Sequence, residues 1–256
     1  MILNDSNYYS LEADREYMSV SQYKSFKKCE VSAVAKLQGK YEGLKSEALL
    51  LGSYLHEWAE KRNTDQFKKE HPEMFSSTGK TKGQLKSNYK IADNMINALK
   101  NDSICMNFLN GEKEVIVTGE LFGVKWKAKV DCLNLEKGFF SDLKTTRELH
   151  KRYDGLTFIE YYGYVEQMAV YRELIKQQFG KDLIPYIVAV EKKDNPLKAI
   201  IRIDECYTRP KLEEIEYTLD RIVKVKNGEE APIGCGMCDY CRSINKVSKI
   251  LTIDDL

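Results

Sequence analysis

No run of about eighteen apolar residues occurs anywhere in the 256-residue chain, which removes a membrane-spanning helix from consideration. The opening segment, Met1 to Tyr9, is polar and lacks the apolar stretch of a secretory signal, so a cytoplasmic protein is expected. Charge of one sign is not in excess either: 40 Lys and Arg stand against 39 Asp and Glu, a net charge of +1. Any binding to nucleic acid must therefore rest on a local basic patch and not on the overall field. The chain has no Gly-x-x-x-x-Gly-Lys-Ser/Thr pattern, which excludes an ATP-driven helicase acting by itself. Internal repeats, low-complexity segments and composition shifts that would mark a linker are also missing. What is present is an ordinary globular composition, 43% apolar and 31% charged, sufficient for a sizeable core.

Seven cysteines are an odd set for a disulfide framework in a reducing compartment. Three of them crowd into Cys235-Gly-Met-Cys238-Asp-Tyr-Cys241, and metal ligation accounts for such crowding better than chance does.

Periodicity orders the rest. A helix is expected over about Gln22–Leu37, with Ser21 as its cap and Cys29, read alone, as a small core residue. A second helix runs from about Ser46 past Glu60, with Leu51, Leu55 and Trp58 facing the core and His56 on a neighbouring strip. Lys61 to Lys90 reads as a long polar surface excursion, and Leu85 to Leu99 as a third helix. From Glu114 the period becomes strand-like, and turns at Gly123 and Lys137-Gly138 give an antiparallel meander of three strands ending at Leu143. A helix over about Leu156–Phe179 follows, then strands at Ile184–Val190 and Ala199–Ile203, and a final helix from Pro210 to about Lys226. This order predicts one α/β domain around a central mixed sheet: a helical part over 1–110, a core over 111–205, and a helix with the cysteine cluster over 206–256.

The chemistry concentrates at Asp131 and at Asp142-Leu143-Lys144. Each acid closes a strand-like run, and alternation puts Asp142 and Lys144 on one face while Leu143 points into the core. Hard divalent cations take carboxylate oxygens together with water and phosphate, so two acids on adjacent strands suit Mg²⁺ or Mn²⁺ beside a phosphodiester. A lysine two residues on can orient or deprotonate an attacking water, or stabilise the charged transition state. Glu114, at the start of the meander, could add a further acid. Asp-x-Lys alone is common on strand surfaces; the ordered set around it carries the information.

That set is Gly52-x-x-x-His56, Lys129-Val130-Asp131, Asp142-Leu143-Lys144-Thr145-Thr146 and Gln167-x-x-x-Tyr171. It resembles the PD-(D/E)xK nuclease superfamily in its RecB-like branch, and is most similar to phage and prophage exonucleases of the RecE type. The likeness covers nearly the whole chain, and Val130 replaces a proline that is commonly absent in this branch. The resemblance implies a restriction-endonuclease-like core. His56, Asp131, Asp142 and the Leu143 carbonyl would ligate the metal, with Lys144 the catalytic lysine and Glu114 an additional acid. It implies that Gln167 and Tyr171 contact DNA or brace the site, and that the enzyme resects duplex DNA ends for a single-strand annealing partner, in a bacterial host's cytoplasm if phage-encoded. A homo-oligomer is compatible with it.

Some RecB-like nucleases tie their chain ends together through a four-iron four-sulfur cluster held by one amino-terminal and three carboxy-terminal cysteines. Cys29, Cys235, Cys238 and Cys241 resemble that set, and the short last interval leaves Zn²⁺ or no metal open. Cys105, Cys132 and Cys206 read as core residues. Arg147, His150, Lys151 and Arg152, just after Lys144, form a local basic strip suited to phosphate contacts or simply to solvent. Three readings stand side by side: a duplex-end exonuclease, a nuclease that trims single strands, and a non-catalytic DNA-binding module of the same fold.

Overall fold

The computed structural model describes residues 1–43, 46–247 and 252–253. In chain order the helices that open it are α1 (Leu11–Glu16), α2 (Val20–Lys28), α3 (Glu30–Leu37), α4 (Glu47–Lys61), α5 (Asp65–Glu70), α6 (Ser87–Lys100) and α7 (Ser103–Phe108). Strands β1 (Glu112–Leu121), β2 (Val124–Asn134) and β3 (Phe139–Thr146) follow, then α8 (Phe158–Tyr161) and α9 (Tyr164–Phe179). Strands β4 (Ile184–Glu191) and β5 (Lys198–Arg202) lead to α10 (Glu205–Asn227) and α11 (Asp239–Ser243). Among the described residues no helix is long and apolar enough to cross a membrane. The chain divides into two compact units, Met1–Leu44 with Glu216–Leu256, and Lys45–Ile215.

The second unit holds a five-stranded mixed sheet in the order β1-β2-β3-β4-β5. The meander pairs antiparallel as the turn residues require, β3 and β4 run parallel with α8 and α9 as the crossover, and β5 returns antiparallel. Leu143, Val188 and Val190 are buried with Leu55, Trp58 and Tyr89, so α4 and α6 cover one side of the sheet. Burying a side chain of this size contributes on the order of 1.5–3 kcal/mol. α9 packs on β1 and β2. Gly119 makes that approach possible, because a Cβ there would collide with Gln177 and Leu174. Gln177 exchanges hydrogen bonds with the Glu120 backbone, accepting from its N–H at 2.9 Å and donating to its carbonyl at 2.8 Å. Gln178 accepts from the Thr118 N–H at 3.0 Å. These amides satisfy the outer backbone of β1, an edge strand otherwise open to further pairing.

The first unit is built from both ends of the chain. Tyr23 Oη meets Thr218 Oγ1 at 2.6 Å, and Lys226 Nζ donates to the Tyr17 carbonyl and to Gln22 Oε1, each at 2.8 Å. Arg221 grips Glu30 through Nε at 3.1 Å and Nη2 at 2.8 Å, and the same carboxylate accepts the Ile233 N–H at 2.7 Å.

Five local expectations change. The helix expected over 22–37 is two helices that meet at Cys29, whose extended backbone (φ −168°, ψ 106°) ends α2 and starts α3, and Ser19 rather than Ser21 caps α2. The helix expected over 156–179 is interrupted by Gly163 in the left-handed region. The polar excursion contains α5 and two single turns of 3-10 helix, and it buries Phe67 and Met74, so it is anchored in the core. The last helix starts at Glu205 and carries Pro210 inside it; the N–H of Tyr207 finds the Asp204 carbonyl at 3.0 Å before the proline interrupts the ladder. Cys206, expected in the core, is exposed, whereas Cys105 and Cys132 are buried.

Candidate active site

Strand register builds the site. Pairing of β2 with β3 runs from Asn134↔Phe139 to Cys132↔Ser141, and the next position of the same register sets Asp131 opposite Asp142. Instead of continuing the ladder, the Leu143 N–H donates to Asp131 Oδ2 at 2.9 Å. On the other side, the pairs Lys113↔Cys132 and Val115↔Val130 flank Glu114, which lies opposite Asp131. One row across β1, β2 and β3 therefore presents Glu114, Asp131 and Asp142.

Cations offset this row. His56, from α4, brings Nδ1 to 3.3 Å from Asp131 Oδ2. Lys129 Nζ lies 3.1 Å from Glu114, and Lys144 forms a close ion pair with Asp142 Oδ2. Gln167 on α9 donates to Asp142 Oδ1 at 2.5 Å, so a residue of the crossover helix fixes the acid's orientation. Lys144 Nζ also sits 5.0 Å from the centre of the Tyr164 ring.

These contacts separate the acids' protonation. Burial opposes the charged form of Asp131, yet His56, Lys144 and the Leu143 N–H hold its carboxyl down at about 2. Asp142 moves the other way, raised by burial and by the Asp131 charge. Glu114 is likewise raised by burial and by Asp131. Burial works against the His56 and Lys144 cations, but the facing carboxylates outweigh it and raise both. The facing carboxylates thus favour the Lys144 ammonium, a group able to stabilise negative charge.

The residues present fit a divalent metal. Ligand atoms of His56, Glu114 and Asp131 all lie within 4.8 Å of one another, a hard donor set of two carboxylates and one imidazole. Asp142 is outside this triplet, its carboxylate engaged by Lys144 and Gln167; its Oδ2 is buried and has no hydrogen-bond partner beyond that ion pair. Glu114 thus takes a more central place than the meander pattern alone suggested. Lys129 went unassigned in the sequence, although it stands two residues before Asp131 and so on the same strand face. Tyr171 is half-buried one turn beyond Gln167, and Arg147, His150, Lys151 and Arg152 are exposed in the segment after β3.

In the first unit, ligand atoms of Cys29, Cys235, Cys238 and Cys241 also lie within 4.8 Å of one another. Cys29 Sγ and Cys241 Sγ are 3.5 Å apart, and Cys29 Sγ accepts the Cys235 N–H at 3.4 Å. The left-handed Gly236 turns the loop so that the Cys238 N–H reaches Cys235 Sγ at 3.3 Å. Gly234 leaves room for the Cys241 sulfur, which would come within 3.3 Å of a Cβ there. N–H groups of Met237 and Cys238 bring the Cys235 thiol down to about 6. For Cys241 a Gly236 backbone hydrogen bond works in the same direction, but burial and the three neighbouring sulfurs push it up to about 11. Four sulfurs this close together form a soft donor set of the kind that could hold a metal ion.

Comparison with known proteins agrees with this geometry. A family model described as "PDDEXK-like domain of unknown function (DUF3799)" matches residues 19–244. The crystal structure of a Eubacterium rectale protein bearing the name "Putative exonuclease" superposes with a TM-score of 0.92, at 39% identity over 100% of this chain and 98% of that one. A second solved structure, that of SSO0001, is 19% identical over 78% of this chain and 95% of that one, and its TM-score of 0.30 supports no argument. No curated protein sequence matches the chain. The family match over nearly the full length, together with the five-stranded core and its row of acids, places the chain in the PD-(D/E)xK nuclease superfamily.

Proposed function

We propose that this protein is a divalent-metal-dependent exonuclease that hydrolyses phosphodiester bonds at the ends of duplex DNA, resecting from 5′ to 3′ in phage-type recombination and leaving a strand for an annealing partner. The observation that carries the reading is the row Glu114–Asp131–Asp142 with Lys144 paired to its last member. His56, Glu114 and Asp131 would hold Mg²⁺ or Mn²⁺, with Asp142 and the Leu143 carbonyl next to them. When bound, the ion supplies Lewis acidity toward the phosphate and lowers the pKa of its water. Asp131, fixed by the Leu143 N–H, stays ionised and keeps the ligand set preorganised. Lys144 presents its ammonium beside Asp142 and stabilises the charge that builds on the phosphoryl oxygens. Gln167 holds Asp142 in place for that pairing. The name borne by the Eubacterium rectale relative supports exonucleolytic action.

Linear duplex labelled at either the 5′ or the 3′ end, incubated with Mg²⁺ or Mn²⁺, tests activity and direction together. Wild type is expected to degrade it, with Lys144→Ala slower by on the order of a hundredfold or more. Equal rates for the two proteins would remove Lys144 from the chemistry. DNA-end binding without cleavage under every metal would favour the non-catalytic module.

The four cysteines are proposed to hold a four-iron four-sulfur cluster. Protein purified without oxygen should be brown and lose its visible absorbance in Cys238→Ala. Colourless protein with one zinc per chain would assign the site to Zn²⁺ instead.

A further inference from the structure

From the end of β3 to the start of α9 the chain displays four tyrosines that the catalytic reading does not use. Starting from Lys144, the rings of Tyr164, Tyr162 and Tyr161 follow one another with centroid separations of 5.9 and 5.1 Å, and Tyr153 stacks on Tyr161 at 5.1 Å with planes 29° apart. Tyr161 and Tyr162 are 46% and 43% exposed. Their frame is rigid. Asp154 and Gly155, at φ 52° and 81°, make a two-residue turn closed by hydrogen bonds of 2.8 and 2.9 Å between Tyr153 and Leu156. Thr157 and Glu160 form a reciprocal capping box at the start of α8, and Gly163 redirects the chain into α9. Cations accompany the rings: Lys151 Nζ lies 5.6 Å from the Tyr153 centroid, and Arg147 and Arg152 are exposed on the same segment.

Aromatic rings held in sequence beside positive charge, with Tyr161 and Tyr162 exposed and Tyr153 and Tyr164 half-buried, suit an unpaired nucleic-acid strand, because every base has a face to stack and each phosphate a charge to neutralise. We propose that Tyr153, Tyr161, Tyr162 and Tyr164 are a base-stacking platform for the single strand at a DNA end, leading it to Asp142 and Lys144. The proposal rests on the nuclease reading and adds its substrate feature: the productive end carries unpaired bases, by overhang or by fraying. Stacking makes the site tolerant of sequence, and the basic residues supply the salt-sensitive part of binding.

Equilibrium binding by the full-length protein, without added divalent metal so that nothing is cleaved, tests this with four labelled probes: a DNA single strand, the same strand built of abasic sites, a duplex with an overhang, and a blunt duplex. The Tyr161→Ala/Tyr162→Ala variant should bind the single strand and the overhang on the order of tenfold to a hundredfold more weakly, leaving the abasic and blunt probes unchanged. Tyr161→Phe/Tyr162→Phe should bind as wild type, since the ring face is kept. A loss shared by all four probes, no loss on the single strand, or failure of the phenylalanine variant to bind as wild type would overturn the platform. Should the double alanine variant melt early, Tyr161→Ala and Tyr162→Ala taken singly provide the same comparison. Absence of cleavage by wild type with Mg²⁺ would sink the nuclease reading while leaving this binding result standing.

Discussion

Glu114 adopts φ 52° near the start of β1, opposite Asp131, where a side chain other than glycine costs on the order of 1–3 kcal/mol. The strain accompanies a charge placed badly for stability, since burial and Asp131 both raise the pKa of Glu114. A carboxyl whose folded pKa lies above its unfolded value of 4.5 binds more protons when folded, so its contribution falls as pH rises from 4.5 through the raised folded value and is flat beyond it. Without added divalent metal, Glu114→Gln is therefore expected to gain melting temperature relative to wild type across that window, and to lose cleavage activity when Mg²⁺ is supplied. Melting curves of both proteins from acid to neutral pH check the first half; parallel profiles would mean that Glu114 is not held in this strained, desolvated state. Asp142 and Lys144 were legible in the sequence because strand alternation fixes their common face. The central place of Glu114 was not, because it depends on the register of β1 against β2, which no local pattern states.

At the level of elements, the periodic apolar positions located the helices and strands, yet the chain breaks within two of the expected helices. Apolar spacing continues through Cys29 and through Gly163, so periodicity reports one helix where there are two. The breaks answer tertiary needs: extended backbone at Cys29 brings its sulfur to Cys235 and Cys241, and the left-handed turn at Gly163 sets Tyr162 beside Tyr164. An alanine at Gly163 would have to adopt φ 65°, which costs about 1–2 kcal/mol. Gly163→Ala should accordingly lower the melting temperature by about 2–8 °C, with Gly163→Asn losing less because asparagine tolerates this region better. Because the same turn orients Tyr162 against Tyr164, the alanine variant should also weaken single-strand binding. An unchanged melting temperature in Gly163→Ala would show that α8 and α9 can join without the left-handed residue.

For the whole molecule, the order of motifs along the chain was enough to read the sheet-and-helix core, because each connection in it is short or is a single crossover. The first unit was harder to read: its halves, Met1–Leu44 and Glu216–Leu256, are separated by the entire sheet. Closing so long a loop is costly in entropy, and the cysteine set spans it, with Cys29 and Cys235 standing 206 residues apart. A metal shared by both halves would constrain the unfolded chain as a disulfide does, most strongly where the loop is longest. The polar contacts that join the same halves, among them Arg221 to Glu30, Lys226 to Tyr17 and Tyr23 to Thr218, are individually modest. Removing the cluster metal with a chelator, or substituting Cys238→Ala, should then loosen this unit and not the sheet. Hydrogen exchange reads the difference: amides of α2, α3 and the part of α10 after Glu216 are expected to lose protection by at least about a hundredfold, while those of β2, β3 and β4 keep theirs. Equal loss in both units would mean that the chain opens as one body; no loss in either would mean that the side-chain contacts hold the two ends without a metal.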